Sequence, residues 1–257
     1  MKLMLAMLKL SLILLPVGAI AGIVSTVGGL ASLVSYPALL ALGLPPVTAN
    51  VTNTAGLVFT GVGSAIASRR ELKGHARDLL MLLPLTIIGC IAGALLLFAI
   101  PAATFQKVVP FFILVAGILI LIPRHLPAEQ PVTTGFSWVT VAAWLGVFGV
   151  GVYSGYFGAA GGVLMLSMLA VISDAPFAEY NAQKNLALGA ANCVSTVVYA
   201  MQMRIPWSWV LPLGIGFLIG GLVGPMIVRW LPDRLVKLVI GIAALGLAGS
   251  LFYQAFF

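Results

Sequence analysis

Lys184 is the residue whose chemistry most needs an explanation. It stands in "EYNAQKNLALGAANC", Glu179–Cys193, with Asn181, Asn185 and Asn192 near it and apolar or small residues around them. In a helix, Asn181, Lys184, Asn185, Asn192 and Ser195 or Thr196 fall on one face. An ammonium deep in an apolar helix costs about 2.5–3.5 kcal/mol on insertion scales, so something must offset it. Three readings follow: the side chain snorkels to the interface past Glu179, it pairs with Asp174 or Glu179, or it meets an anionic substrate. A cation flanked by amides suits the last, with Lys184 supplying charge and the amides hydrogen bonds.

A second polar stripe occurs earlier, in "TANVTNTAGLVFTGVGS". Asn50, Asn53 and Thr54 are spaced i, i+3, i+4, and Thr60 and Ser64 fall near the same side. Single Asn or Thr residues also serve as interhelical hydrogen-bond glue, so the pattern matters more than any one member. Each stripe follows a Gly-Gly pair, Gly28–Gly29 in "STVGGLASLVSYP" and Gly161–Gly162 in "FGAAGGVLMLSM". Beyond each pair, a short apolar segment runs to a turn signal, "GLPP" or "SDAP". Such segments are short for a crossing and suit half-helices or re-entrant elements. Exposed N–H groups at a helix start carry partial positive charge, so two breaks meeting near the midplane would form an anion site. The expected site is therefore Gly28, Gly29, Asn50, Asn53, Gly161, Gly162, Lys184 and Asn185.

The elements that must position these residues are membrane helices. The 257 residues are 61% hydrophobic and 7% charged, and the mean hydropathy is +1.16; both exclude a soluble domain. Expected spans are Val47–Ser68, Leu79–Ile100, Phe105–Ile122, Ser137–Tyr156, Asn181–Met203, Trp207–Trp230 and Arg234–Phe256, after a glycine-broken stretch, Leu10–Gly43. These runs are not the roughly 10-residue alternating strands of a barrel. The longest loop, Pro123–Phe136, leaves no room for a soluble catalytic domain. No nucleophile–base pair or His/Glu metal constellation is visible in the spans, so the chain reads as a non-enzyme without a metal site. The net charge of +7 is explained by basic loops on one side of a bilayer, not by nucleic acid. Cys90 and Cys193 lie in apolar spans, where buried, unpaired roles are expected. His75 and His125 lie in loops without evident metal partners. Trp138, Trp207, Trp209 and Trp230 fall at span ends, as an interfacial belt would.

The chain divides into two weakly similar halves, 1–122 and 137–257, joined by 123–136 into one transmembrane domain. Gly18, Gly22, Gly28 and Gly29 match Gly151, Gly155, Gly161 and Gly162 at one offset. "TNTAG" faces "KNLAL", setting Thr52 against Lys184 and Asn53 against Asn185, and Pro84 and Gly93 face Pro212 and Gly221. The N-terminal "MKLMLAMLKLSLILLPVGAIAG" has a signal-peptide composition, but its counterpart in the second half makes it a first structural element. The basic clusters shift by one loop between halves: Arg69, Arg70, Lys73 and Arg77 in one, Arg229, Arg234 and Lys237 in the other. That shift is the mark of an inverted repeat. It places those loops and Arg124 in the cytoplasm and both termini outside, with Lys2, Lys9, Lys107 and Arg204 on the outer face. The expected fold is all-α and polytopic. Each of its two inverted repeats has a glycine-broken or re-entrant first element followed by three spanning helices.

"GIVSTVGGLASLVSYPALLALGLPPVTANVTNTAG", the "SRREL" loop and "NAQKNLALGAAN" together resemble the sulfite exporter TauE/SafE family over nearly the whole chain. The glycine clusters are shorter than is common there, and the proline of "YPALL" has no counterpart in "LSMLAVIS". The resemblance implies a secondary transporter in a bacterial plasma membrane, moving sulfite, sulfoacetate or related organosulfonates by alternating access. The absence of a GxxxxGK[ST] loop agrees with transport without ATP. No Asp or Glu is evident inside a span, so a coupled proton would travel on the substrate or on Lys184. Two other readings stand beside it, a metal cation permease and a non-transporting membrane scaffold. The first lacks intramembrane His, Asp or Glu ligands. The second predicts that polar span residues tolerate apolar replacement.

Overall fold

The computed structural model describes residues 2–99, 111, 114, 118, 121, 138–158, 161–230 and 232–256. Its elements are the helices α1 (Lys2–Gly28), α2 (Ser32–Ala41), α3 (Pro46–Ala67), α4 (Ala76–Ala99), α5 (Trp138–Tyr156), α6 (Gly161–Ile172), α7 (Phe177–Gln202), α8 (Trp207–Trp230) and α9 (Asp233–Phe256). The expected span Phe105–Ile122 is described only at Phe111, Leu114, Ile118 and Leu121, each helical. Lys107, Arg124, His125 and the 123–136 connection lie outside the described residues. Among the described residues, three helices are long and apolar enough to cross a membrane: Leu10–Gly28 within α1, α4 and α8.

The breaks fall where glycine permits them. Gly29 ends α1 at φ +72, its N–H donating to the Ser25 carbonyl at 2.7 Å; a side chain would strain that conformation. In the second half the corresponding turn is at Gly158, φ +70, not at Gly161–Gly162, which open α6 instead. The segments that follow are short, 10 residues in α2 and 12 in α6. At 1.5 Å per residue they extend about 15 and about 18 Å, roughly half a hydrocarbon core. Pro45 and Pro176 then cap α3 and α7, where a ring that lacks an N–H costs nothing. Helix α7 therefore starts at Phe177, a turn earlier than the expected Asn181, and Lys184 lies two turns inside it.

The two halves exchange contacts. The first element of each packs along the fourth of the other, α1 on α8 and α5 on α4, while α3 and α7 cross each other between them. Gly18 and Gly22 of α1 lie against Gly216 and Gly220 of α8, and Gly151 and Gly155 of α5 lie against the Gly89–Ala94 stretch of α4. The nearest atoms correspond as well: Gly18 and Gly151 approach the carbonyls of Leu213 and Thr86, and Gly216 and Gly89 approach those of Leu15 and Phe148. The spacing is thus constant, 151 − 18 = 133 for the first elements and 216 − 89 = 127 for the fourth. Gly93 corresponds to Gly220, one residue from the Gly221 expected from the sequence. Gly221 instead faces the Thr60 carbonyl and Ser64 of α3. Without water between helices in a bilayer, close backbone approach over small residues is what gains packing energy.

At the centre the contacts tighten further. A Cβ on Gly29 would overlap Gly162 and the reverse, and Gly61 and Gly189 stand in the same relation where α3 crosses α7. The end of α1 therefore meets the start of α6. At the periphery, Trp138, Trp207 and Trp230 are exposed at helix ends, whereas Trp209 packs into an apolar cluster with Leu14 and Leu213. Cys90 is buried, but Cys193 is exposed, because the face of α7 that carries it turns outward.

Replacing Gly220 or Gly93 by Leu drives a side chain into the opposing backbone. A loss of about 1–3 kcal/mol or more is expected from such overpacking, read as a lower melting temperature in detergent. Gly246 of α9 has no neighbour within 4 Å of a built Cβ, so Gly246→Ala should leave it unchanged or raise it.

Candidate functional site

Helix α1 stops inside the protein, and beyond the Ser25 carbonyl, which takes the Gly29 N–H, its last carbonyls need partners from elsewhere. Helix α7 supplies them. The Lys184 ammonium donates to the Ser25 and Thr26 carbonyls at 3.1 and 3.4 Å. The side-chain amides of Asn181 and Asn185 donate to the Thr26 carbonyl at 2.9 and 3.1 Å. The Thr26 hydroxyl turns back to the Gly22 and Ile23 carbonyls, each at 3.0 Å, leaving its own carbonyl to these donors. A cation beside a helix C-terminus is favourable because the aligned peptide dipoles leave partial negative charge there. This is what offsets the burial of Lys184, which is 1% exposed.

The snorkelling reading fails, since the residue is enclosed two turns from the helix start. Pairing with a carboxylate fails too. Glu179 bonds to His75, and among the described residues no carboxylate lies within ion-pair distance of Lys184.

The other half uses the same device with a different side chain. Helix α5 ends at Tyr156, and Asn50 of α3 donates to the Tyr156 carbonyl at 3.3 Å. The Tyr199 hydroxyl of α7 donates to the carbonyl of Gly155. Asn50 and Asn181 each stand five residues beyond their capping proline, and Asn53 and Lys184 each stand eight. Counted from the caps, Asn53 is the counterpart of Lys184, in place of the Thr52 suggested by sequence alignment. Asn53 turns to its own half: it donates to the Ser32 hydroxyl at 3.0 Å and accepts from that of Ser35 at 2.6 Å. Thr52 bonds back to the Thr48 carbonyl.

Beside Lys184 lies a cavity of about 20 Å³ between α3 and α7, with polar walls of Ser25, Thr60, Ser64, Lys184, Asn185 and Asn192. It has room for about one water molecule. Of the residues expected from sequence, Lys184 and Asn185 line it. Asn50 and Asn53 do not, and Gly28, Gly29, Gly161 and Gly162 do not; Gly29 and Gly162 fill each other's space. Thr60, Ser64 and Asn192 were visible as members of the two stripes. Ser25 was missed, although a hydroxyl residue three positions before a Gly-Gly pair marks a helix end where polar groups collect.

A larger cavity, about 240 Å³, is walled by His75, Asp78, Trp144, Asp174 and Gln183 among others. His75 lies within hydrogen-bond distance of Asp78 through Nδ1 (3.0 Å) and of Glu179 through Nε2 (2.8 Å). The Asp78 carboxylate raises its pKa above the ordinary imidazole value, burial opposes that, and Glu179 adds to the rise. Gln183 is 2% exposed and its Nε2 has no partner among the described residues. Behind this loop Glu71 accepts two bonds from Arg229 at 2.5 and 2.9 Å, which hold its carboxyl below the usual range. Among the described residues no three His, Cys, Asp or Glu side chains cluster as metal ligands would.

Asn50→Ala removes the α3 donor to the Tyr156 carbonyl, whereas Asn181→Ala removes one of three donors to the Thr26 carbonyl, with Lys184 and Asn185 remaining. The first should cost about 0.5–1.5 kcal/mol of stability and the second less, measured by thermal unfolding of the purified protein. Asn192→Ala, whose side chain makes no such bond to a helix end, should cost less.

Residues 14–251 match the sulfite exporter TauE/SafE family. The chain is 24% identical over 242 residues to a probable membrane transporter protein of Haemophilus influenzae, covering 94% of both chains. It is 22% identical over 241 residues to the probable membrane transporter protein YfcA of Escherichia coli, covering 93% of this chain and 88% of that one. The probable membrane transporter protein ORF9 of a Sinorhizobium species is 24% identical over 233 residues, with 89% and 87% covered. No solved structure matches the chain. With that match across all the described helices except the first residues of α1 and the last of α9, the chain belongs to the sulfite exporter TauE/SafE family.

Proposed function

We propose that this membrane transporter is a secondary carrier of a small anion, a sulfur oxyanion or organosulfonate such as sulfite or sulfoacetate. The observation that carries the reading is Lys184, a buried lysine that no carboxylate among the described residues neutralises and that borders a polar cavity between two crossing helices. An ammonium has three N–H groups, two of which are accounted for by the Ser25 and Thr26 carbonyls. The third, with the Asn185 and Asn192 amides and the Thr60 and Ser64 hydroxyls, suits the oxygens of a tetrahedral anion. The cavity of about 20 Å³ is too small for such an anion, so substrate binding requires α3 and α7 to move apart.

The exchanged packing of α1 on α8 and α5 on α4 supports two inverted repeats rocking against each other. In this arrangement the Arg69–Arg77 and Arg229–Lys237 loops face the cytoplasm of a bacterial cell and both termini lie outside, as basic loops favour. A proton or another ion is the co-substrate.

In proteoliposomes, Lys184→Gln should abolish uptake of the cognate anion while keeping hydrogen bonds to the end of α1, so that the melting temperature falls little. Unchanged transport would remove Lys184 from the site. A thermal-shift screen of sulfite, sulfate, sulfoacetate, taurine and divalent metals separates the classes. An anion carrier is stabilised by one of the oxyanions, a metal permease by a divalent ion, and a scaffold by none.

A further inference from the structure

His75 joins the two halves through Glu179 and lines the larger cavity. It belongs to the connection between α3 and α4, whereas Glu179 lies in the first turn of α7, 104 residues away. Its second partner, Asp78, is in the first turn of α4. Both partner atoms are carboxylate oxygens, at 2.8 and 3.0 Å. Carboxylates only accept, so both ring nitrogens must donate, and only the imidazolium has two N–H groups. A neutral ring would set a lone pair against one carboxylate, and one of the two contacts would have to open.

We propose that protonated His75 is a latch that holds the α3–α4 connection to α7 and narrows access to the cavity ending on Gln183. Loss of the proton releases it and opens that face. The cavity is large enough to matter, about 240 Å³, and its lining includes the buried amide of Gln183, whose Nε2 has no partner among the described residues, one residue before Lys184. The remaining charged groups near the latch, among the described residues, are Asp174 across the cavity and Arg69, Arg70, Lys73 and Arg77 on the histidine's own loop and the start of α4. Arg229 of α8 is engaged by Glu71. A histidine whose pKa is raised by its partners contributes its contacts at low pH and loses them as pH rises through that raised value. The latch is thus closed in acid and opens toward alkaline pH.

As a gate on the proposed carrier, the latch rests on that reading, but its test does not need transport. Ser173 lines the cavity, and Lys73 is exposed on the same loop. Ser173→Cys and Lys73→Cys, each in a Cys193→Ala background, are labelled with a membrane-impermeant thiol reagent. Taking the ratio of the two rates cancels the pH dependence of the thiol. With His75 present, the ratio should rise about 3-fold or more between about pH 5.5 and about pH 8.5. His75→Gln, which cannot hold both carboxylates as a cation does, should give a high ratio at every pH. His75→Lys, charged throughout, should give a low one. A flat ratio with His75 in place, or an unchanged rise in either variant, overturns the latch. Failure of anion uptake with the rise intact would instead count against the carrier reading alone.

Discussion

A helix that ends inside a membrane leaves carbonyl groups that no water can reach, and these must be satisfied by the protein itself. Two of the helices here, α1 and α5, end buried inside the protein, and the centre of the structure is arranged around supplying donors to them. Each receives donors from the opposite half: Asn181, Lys184 and Asn185 reach α1, and Asn50 reaches α5, where Tyr199 of the same half adds another. This explains why α3 and α7 are the polar helices of an otherwise apolar bundle and why their stripes are buried. It also explains how a lysine is tolerated there, since the negative end of α1 takes the place of an acidic side chain.

The same requirement accounts for the glycines. Bringing α7 within hydrogen-bond reach of the end of α1 requires backbones to approach closely at the centre, and Gly29, Gly162, Gly61 and Gly189 are the points where side chains would prevent it. Along the flanks, Gly18 and Gly22 against Gly216 and Gly220 fix α1 on α8, and their counterparts fix α5 on α4. Packing and polar satisfaction are therefore two aspects of one arrangement. The lining of the larger cavity adds a third contact between halves, through His75 and Glu179, at the surface where titration is possible.

Much of this was legible in the sequence. Helix identity followed from long apolar runs, and the first break followed from its Gly-Gly pair, whereas the second turn falls at Gly158, before the pair that opens α6. The polar stripes were visible because Asn and Lys recur at helical spacing where nothing else is polar. Helix starts were less legible: Phe177 and Ala178 after a proline gave no sign that α7 begins a turn before Asn181, so the lysine's depth was underestimated. The direction of each polar side chain was not legible at all. Asn53 turning to Ser32 and Ser35, and Asn50 to Tyr156, depend on which helix end lies across from them. That is set by contacts between halves rather than by spacing within a helix. The one-residue error that put Gly93 with Gly221 had the same origin, because adjacent glycines on α8 serve different neighbours.

The reciprocal capping has a consequence for how the chain is made. The Thr26 carbonyl waits for Asn181, 155 residues later in synthesis, and the Tyr156 carbonyl is met by an asparagine made 106 residues earlier. The first half thus leaves the ribosome before the donors to the Thr26 carbonyl have been made. The second half meets a partner that already carries Asn50, so the end of α5 finds a donor as it forms, and α7 brings those of α1. Assembly is therefore asymmetric in time even though the contacts are nearly symmetric in space, and α7 is the segment on whose insertion the unfinished end of α1 depends.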